Sequence, residues 1–144
     1  MHENMKKMII FAGGKSKNTP FQSIVDTYVR RMSTWSVSVQ EVSDHGWHRL
    51  KPGKTDIWVA LCQRGKVMDS PHFAKAISAW MLHAKRLCFL VGPSEGLLSS
   101  ILDQSHHVLS LSPMTWPHLM ARAMLVEQIY RAQQQLRGHG YALV

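Results

Sequence analysis

Residues Leu109–Tyr141, LSLSPMTWPHLMARAMLVEQIYRAQQQLRGHGY, join a short strand, a polar loop, a Trp-Pro-His step and a long amphipathic helix. The pattern predicts a strand over 107–111 and a helix that begins at Pro117 and ends near Leu136, before Gly138. Just upstream, a second apolar strand over 87–91 opens into a glycine turn over 92–97. Two neighbouring strands that open into loops at one edge of a sheet are how α/β domains build ligand crevices. This stretch therefore predicts both the fold class and the place of a binding site.

The rest of the chain alternates apolar strands with helical patterns. We predict strands over 8–13, 36–42 and 56–62, and helices that begin at Pro20, at Ser70-Pro71 and near Gly96. Ser70 is the predicted N-cap, followed by proline at the first helical position. Segments 43–55 and 63–69 are polar and contain glycine, so they are predicted to be loops. The alternation predicts one α/β domain over residues 1–144 with a largely parallel sheet.

Composition and charge restrict the classes of function. Hydrophobic residues make up 45% of the 144 residues, enough for an ordinary core. The apolar runs are too short to cross a bilayer, and none follows Lys6-Lys7 as a signal peptide would require, so we expect a cytoplasmic protein without a membrane partner. Seventeen Lys and Arg against nine Asp and Glu give a net charge of +8, which favours nucleic acid as partner over a merely basic protein. The basic residues are dispersed, so any basic patch must be assembled by folding.

The cysteines and the remaining polar residues argue against a disulfide, a metal site, a catalytic triad and a phosphate-binding loop. Cys62 and Cys88 fall in predicted buried strands without CxxC spacing, which favours free structural thiols over a disulfide or a zinc site. We find no cluster with metal-ligand spacing, no catalytic triad and no phosphate-binding glycine loop, so no metal is expected.

Each motif that can carry chemistry also has a purely structural interpretation. The glycines of 92–96 allow close backbone approach to a ligand, but they also suit a tight turn. Loop 110–116 offers backbone groups at a helix N-terminus for an adenine edge or a carboxylate, or it simply caps the helix. His118 is a candidate acid, base or phosphate contact, or a packing residue. Arg122 follows one turn later on the same face, and Glu127 with Arg131 predicts an intrahelical ion pair.

Four ordered segments resemble the RlmH family of SPOUT-class methyltransferases. They are VGPSEGL over 91–97, LSLSPMTWPH over 109–118, EQIYRA over 127–132 and RGHGY over 137–141; MIIFAGGK over 8–15 also fits. The family uses S-adenosylmethionine to methylate N3 of a pseudouridine in 23S rRNA within the ribosome. The resemblance implies a SPOUT-type α/β fold with a deep trefoil knot over about residues 87–144, a rare exception to unknotted topology. It also implies a homodimer in which the partner completes each active site.

The resemblance further implies which residues form the site. Arg122 matches a family arginine near the active site and is expected to stabilise negative charge on the base carbonyls. Tyr141 matches a C-terminal tyrosine near the substrate, and His118 is a further catalytic candidate near the base. The cofactor contacts carry over onto Leu61, Gly92, Leu111, Ser112, Pro113, Met114, Thr115 and Trp116.

Four departures from the family pattern keep other hypotheses open. Pro93 replaces the usual second glycine, and Pro113 stands where many members have lysine. Segment 43–55 is short where the family commonly has a helix, and the tail reads Ala142-Leu143-Val144 in place of a histidine and a basic residue. The main alternative is a SPOUT-fold RNA- or ribosome-binding protein with impaired catalysis. A third hypothesis, a SPOUT enzyme acting on tRNA, would be expected to bring an added RNA-binding domain.

Overall fold

The computed structural model describes residues 5–138, which form a five-stranded sheet covered by helices on both faces. The strands are β1 (Lys7–Gly13), β2 (Ser36–Val42), β3 (Asp56–Val67), β4 (Arg86–Val91) and β5 (His107–Ser110). Their order is β2-β1-β4-β3-β5, and every neighbouring pair is parallel. The helices are α1 (Pro20–Arg31), α2 (Asp44–Arg49), α3 (Ser70–His83), α4 (Ser99–Gln104) and α5 (His118–Leu136). The predicted α/β class with a parallel sheet is confirmed.

The core lies on both faces of the central strands. Leu87 and Phe89 of β4 pack on one face, beneath α1, α3 and α5, and α5 lies against both of the other two helices. Cys88 and Leu90 point to the opposite face and pack with Trp58. A strand covered on both faces reads as a continuous apolar run, which is why the sequence of β4 is so easily recognised.

Segment 43–50 corrects the first predicted loop, because it contains the short helix α2. The hydroxyl of Ser43 caps this helix by accepting a hydrogen bond from the Gly46 N–H at 3.0 Å. Trp47 is buried in the same cluster as Trp58 and Phe11. Burial of that one large side chain stabilises a helix that is too short to be detected by periodicity.

β3 corrects the second predicted loop, because it continues to Val67. Leu61 and Lys66 both pair with Leu109 of β5, so the strand contains an irregularity between those two residues. Gly65 lies so close to β5 that a Cβ at this position would be 2.8 Å from the backbone of Val108. Pairing with β5 therefore extends β3 where the local sequence favours a turn.

Other helix and strand ends were predicted closely. β2, the start of α1 and the end of α5 are as predicted, and Gly138 after α5 has φ of +74°. The N-cap of α3 is Asp69 rather than Ser70, since its carboxylate accepts the His72 N–H at 2.9 Å. α4 begins at Ser99 instead of Gly96, β5 ends at Ser110 instead of Leu111, and β1 and β4 each start one residue early.

The two cysteines are free, and they differ in burial. Cys88 is buried, and this burial raises the pKa of its thiol to about 11. Cys62 is only partly buried, which corrects the prediction that both lie in the core. Within residues 5–138, no group of three or more His, Cys, Asp or Glu side chains is placed to hold a metal ion. In the same part of the chain, no helix combines the length and apolar character needed to cross a membrane.

A partly buried ion pair between Arg86 and Asp56, at the start of β3, predicts a pH dependence of stability. Arg86 donates to both carboxylate oxygens of Asp56, at 3.1 and 2.8 Å, and this contact lowers the pKa of Asp56. The stabilisation is fully present above the unfolded pKa of about 3.9 and is lost as the pH falls through the lower folded value. Asp56→Asn should therefore reduce the free energy of unfolding at pH 7 and flatten its decline below about pH 4 in urea titrations. Asp103→Asn, at an exposed carboxylate, should leave that decline unchanged.

Candidate functional site

A cavity of about 300 Å³ opens where β4 and β5 end, beside the irregular part of β3. The carboxyl ends of parallel strands meet at this edge of the sheet, which is the usual position of ligand sites in open α/β folds. Three connections build the wall: the irregular part of β3, the turn after β4 and the loop between β5 and α5. The lining residues are Leu61, Cys62, Gln63, Arg64, Val91, Gly92, Pro93, Ser94, Glu95, Gly96, Leu97, Leu102, Leu111, Ser112, Met114, Thr115, Trp116, His118 and Ala121.

The turn after β4 folds tightly over Gly92. A Cβ on Gly92 would be 2.7 Å from the Leu97 nitrogen, closer than side-chain carbons approach backbone atoms. Pro93 begins the turn, which is closed by the Gly96 N–H donating to the Pro93 carbonyl at 2.8 Å. Gly96 has φ of +88°, a conformation that favours glycine. These local requirements explain why two glycines flank the turn.

The loop between β5 and α5 is fixed by its own hydroxyl groups. Ser110 donates to the Ser112 carbonyl at 2.9 Å, and the Ser112 hydroxyl accepts the Met114 N–H at 3.0 Å. Thr115 donates to the Gln63 side chain at 3.1 Å, which ties this loop to β3. Met114 and Trp116 remain 67% and 36% exposed, so two large apolar side chains stand at the cavity rim.

Gln63 and Arg64 are cavity residues that the sequence analysis missed. They lie in the part of β3 that was predicted to be a loop and reach the cavity because β3 continues alongside β5. Val67 was the only apolar signal for that extension in residues 63–67, and one residue does not establish a period.

His118 belongs to the cavity wall and is supported from behind by the β1–α1 connection. A Cβ on Gly14 would be 2.4 Å from the His118 Nε2, and Gly14 has φ of +86°. A Cβ on Gly13 would likewise be 2.5 Å from the Pro93 nitrogen. Two consecutive glycines thus let one connection pack against two parts of the cavity wall.

Arg122 lies behind the wall, in the protein interior. Its side chain is 1% exposed, and its Nη1 donates to the Ser16 hydroxyl at 2.9 Å and to Glu41 at 2.7 Å. Its Nη2 donates to the carbonyls of Gly13 and Gly14 at 2.8 and 2.9 Å. Its terminal nitrogens therefore bind the β1–α1 connection and β2, and the expected stabilisation of charge on the base carbonyls stays a prediction that these contacts do not test.

Glu41 is the acidic partner in this network. Partial burial pushes the pKa of Glu41 upward, but hydrogen bonds from Arg122 and Ser16 outweigh burial and hold it below its ordinary value. Its carboxylate accepts the Ser16 N–H at 2.9 Å in addition to the guanidinium. The network therefore fixes the connection that supports His118.

The structure brings together most of the predicted site residues. Pro113 belongs to the β5–α5 loop but does not line the cavity, Arg122 lies behind the wall, and Tyr141 lies outside the described residues. The predicted ion pair of Glu127 with Arg131 is present at 2.9 Å. The predicted residues that line the cavity are Leu61, Gly92, Leu111, Ser112, Met114, Thr115, Trp116 and His118.

Comparison with known proteins gives consistent matches. A family model described as "Predicted SPOUT methyltransferase" matches residues 5–142. A protein from Novosphingobium aromaticivorans named ribosomal RNA large subunit methyltransferase H is 35% identical over 134 residues, 92% of this chain and 94% of that protein. A protein of the same name from Gluconacetobacter diazotrophicus is 45% identical over 83 residues, 58% of this chain and 55% of that protein.

One solved structure shows the likeness of fold alone. It is the structure of a probable methylase family protein from Haemophilus influenzae Rd KW20, which matches with a TM-score of 0.59. The match covers 100% of this chain and 72% of that chain at 12% sequence identity.

Proposed function

Because this chain belongs to the SPOUT methyltransferase family, we propose that it transfers a methyl group from S-adenosylmethionine to RNA of the large ribosomal subunit. The observation that carries the proposal is the cavity at the carboxyl edge of the sheet, whose walls are the segments 91–97 and 111–118. Relatives that match most of the chain carry the name of a large-subunit rRNA methyltransferase. The proposed acceptor is N3 of a pseudouridine in 23S rRNA within the ribosome.

The cavity suits a methyl donor of this kind. Its volume of about 300 Å³ falls at the lower end of the range of small-molecule sites, roughly 300–1,000 Å³. Leu61, Leu97 and Leu111 provide apolar walls, while Arg64 and Glu95 add one charge of each sign. S-adenosylmethionine has an adenine ring, which suits the apolar walls. Its carboxylate suits Arg64, and its cationic sulfonium suits Glu95. We propose Leu61, Gly92, Leu111, Ser112, Met114, Thr115 and Trp116 as contacts, with Pro113 shaping the loop.

The proposed reaction depends more on placing the methyl donor and the acceptor nitrogen correctly than on activating either of them. When bound, S-adenosylmethionine supplies an electrophilic methyl group for an in-line displacement. The loops at 92–97 and 111–116 would hold donor and acceptor in line, an effect that contributes about 7–11 kcal/mol in well-oriented reactions. N3 loses its proton as the methyl arrives, and His118, which lines the cavity, is the first candidate to accept it. Tyr141 is the second candidate, and Arg122 acts by positioning the wall.

Further parts of the proposal concern the whole molecule. We propose one SPOUT domain over residues 1–144, with the trefoil knot over about residues 87–144. The proposed assembly is a homodimer in which the partner completes each site, and the proposed location is the cytoplasm, where ribosomes are present.

The test is methyl transfer to ribosomes that lack the modification. Purified protein is incubated with radiolabelled S-adenosylmethionine, and label is expected in 23S rRNA at N3 of one pseudouridine. A parallel reaction with tRNA should stay unlabelled; label there would favour the tRNA hypothesis. Cofactor binding without any transfer would instead favour the catalytically impaired RNA-binding protein. In that case Ala142→His, which restores the family histidine in the tail, is the first variant to assay.

A further inference from the structure

Exposed positive charge collects at the end of the sheet opposite the candidate cavity. Lys7 and Lys85 stand where β1 and β4 begin, and Lys51 and Lys54 lie in the connection that enters β3. Arg30 lies in the last turn of α1, which leads into β2. The Lys85 N–H donates to the Thr55 carbonyl at 3.0 Å, which holds two of these segments side by side. We name these five exposed residues the basic end.

The charges of the basic end are not neutralised by neighbours. Within residues 5–138, none of the five takes part in an ion pair. Described acidic residues near this end are Asp56, which Arg86 pairs at 2.8 Å, and Asp103 in the last turn of α4. Asp44, Asp69 and Glu95 follow the carboxyl ends of strands at the cavity end, and Glu41 is the second-last residue of β2 at the same end. At the cavity end these acids are balanced by the exposed cations Lys15, Lys17, Arg64 and Lys66, whereas at the basic end cations outnumber acids.

Helix stabilisation accounts for only part of this pattern. Cations near helix C-termini are stabilising, and all the helices end at this side of the sheet. That effect explains Arg30, and also Lys6, whose ammonium donates to the Met81 carbonyl in the last turn of α3. Within residues 5–138, the ammonium groups of Lys7, Lys51, Lys54 and Lys85 donate to no helix carbonyl, so hydrogen bonds of the Lys6 kind do not explain their position.

We propose that the basic end docks the phosphate backbone of rRNA at a site remote from the methylated nucleotide. This inference rests on the proposed function, since it assumes that the cavity receives a base of the same RNA. Exposed lysines on flexible stems are suited to phosphates, which they contact without reading sequence. Nucleic acid backbone is the polyanion that the net charge of +8 favours.

The geometry also defines the kind of RNA. β1 has seven residues, and at about 3.3 Å per residue it separates the cavity end from the basic end by roughly 20 Å. An RNA that places its target base in the cavity reaches the basic end only if it presents phosphates roughly 20 Å from that base. A large folded RNA, in which a second segment lies beside the target, satisfies both sites.

The experiment compares two triple variants with the same change in net charge. The first is Lys51→Glu/Lys54→Glu/Lys85→Glu at the basic end. The second is Lys17→Glu/Lys66→Glu/Lys75→Glu, at three exposed lysines in the other half of the molecule. Binding is measured with protein-free 23S rRNA and with large subunits over a range of salt concentrations. At about 100 mM salt the first variant should bind both at least about tenfold more weakly, and its slope of log K against log salt should fall by about two.

The outcomes separate the proposals. Equal weakening by the second variant overturns the docking surface, because net charge alone would then suffice. Weaker binding to subunits without weaker binding to protein-free rRNA overturns it too and indicates an acidic protein partner. The two proposals can also fail separately. If the unmodified protein transfers no methyl group but the first variant still binds rRNA more weakly than it does, the docking surface is supported and the proposed function is not. If circular dichroism shows that the first variant is unfolded, Lys51→Gln/Lys54→Gln/Lys85→Gln replaces it. An unchanged slope of log K against log salt in that variant also overturns the proposal.

Discussion

Arg122→Ala is expected to lower the free energy of unfolding by about 3–5 kcal/mol, the usual consequence of removing one partner of a buried ion pair. The guanidinium donates to Ser16, Glu41 and the carbonyls of Gly13 and Gly14. Without it, the buried Ser16 hydroxyl and two backbone carbonyls lose a donor, and a cavity is left in the core. Because Glu41 is 40% exposed, water can hydrate its carboxylate, which places the loss at the lower end of that range. The measurement is urea unfolding followed by circular dichroism.

A matched control lies on the same helix. Arg131→Ala also removes an arginine from an ion pair, with Glu127 at 2.9 Å, but its side chain is 18% exposed. The loss at Arg131 should be smaller than at Arg122, because both side chains of this intrahelical pair keep some contact with water. Equal losses at the two positions would contradict the positioning role of Arg122. Methyl transfer by Arg122→Ala, assayed well below its melting temperature, should fall together with cofactor affinity, because the β1–α1 connection no longer supports the cavity wall.

Gly92→Ala is expected to weaken the binding of S-adenosylmethionine by about 10- to 100-fold. The added Cβ would lie 2.7 Å from the Leu97 nitrogen and 2.8 Å from the Gly96 carbonyl carbon, so the backbone of the turn must move. Overpacking of this kind costs about 1–3 kcal/mol, which corresponds to the stated change when the displaced segment is the ligand-binding wall. Isothermal titration calorimetry of the variant with the cofactor measures it.

Ser94→Ala serves as the control for Gly92→Ala. Ser94 is exposed in the same turn and donates to the Glu95 carboxylate at 2.7 Å. Its loss should change cofactor affinity by less than about threefold, the scale of one exposed hydrogen bond. If Gly92→Ala is folded and binds the cofactor as tightly as the unmodified protein, the cavity is not the cofactor site.

Much of the fold was predictable because its determinants are local. The apolar run of β4 and the long periodic stretch of α5 are signals that tertiary contacts reinforce. The turn after β4 was recognisable because its backbone requires glycine at positions 92 and 96. The helix α2 and the second half of β3 were missed, since each depends on a distant partner: Trp47 on Trp58 and Phe11, and Lys66 on Leu109.

The sequence by itself determined the α/β class, the family and the segments that surround the cavity, because a strand that opens into a glycine or serine loop carries its pattern within a few residues. Tertiary structure alone decided which charged side chains from different elements meet. Arg122 and His118 share one face of α5, yet packing buries the first against Ser16 and Glu41 and places the second at the cavity. The residues of the basic end come from four separate segments of the chain and meet because parallel strands begin at one edge of the sheet. Charged groups interact according to their distance in space, and the order of residues along the chain does not specify that distance.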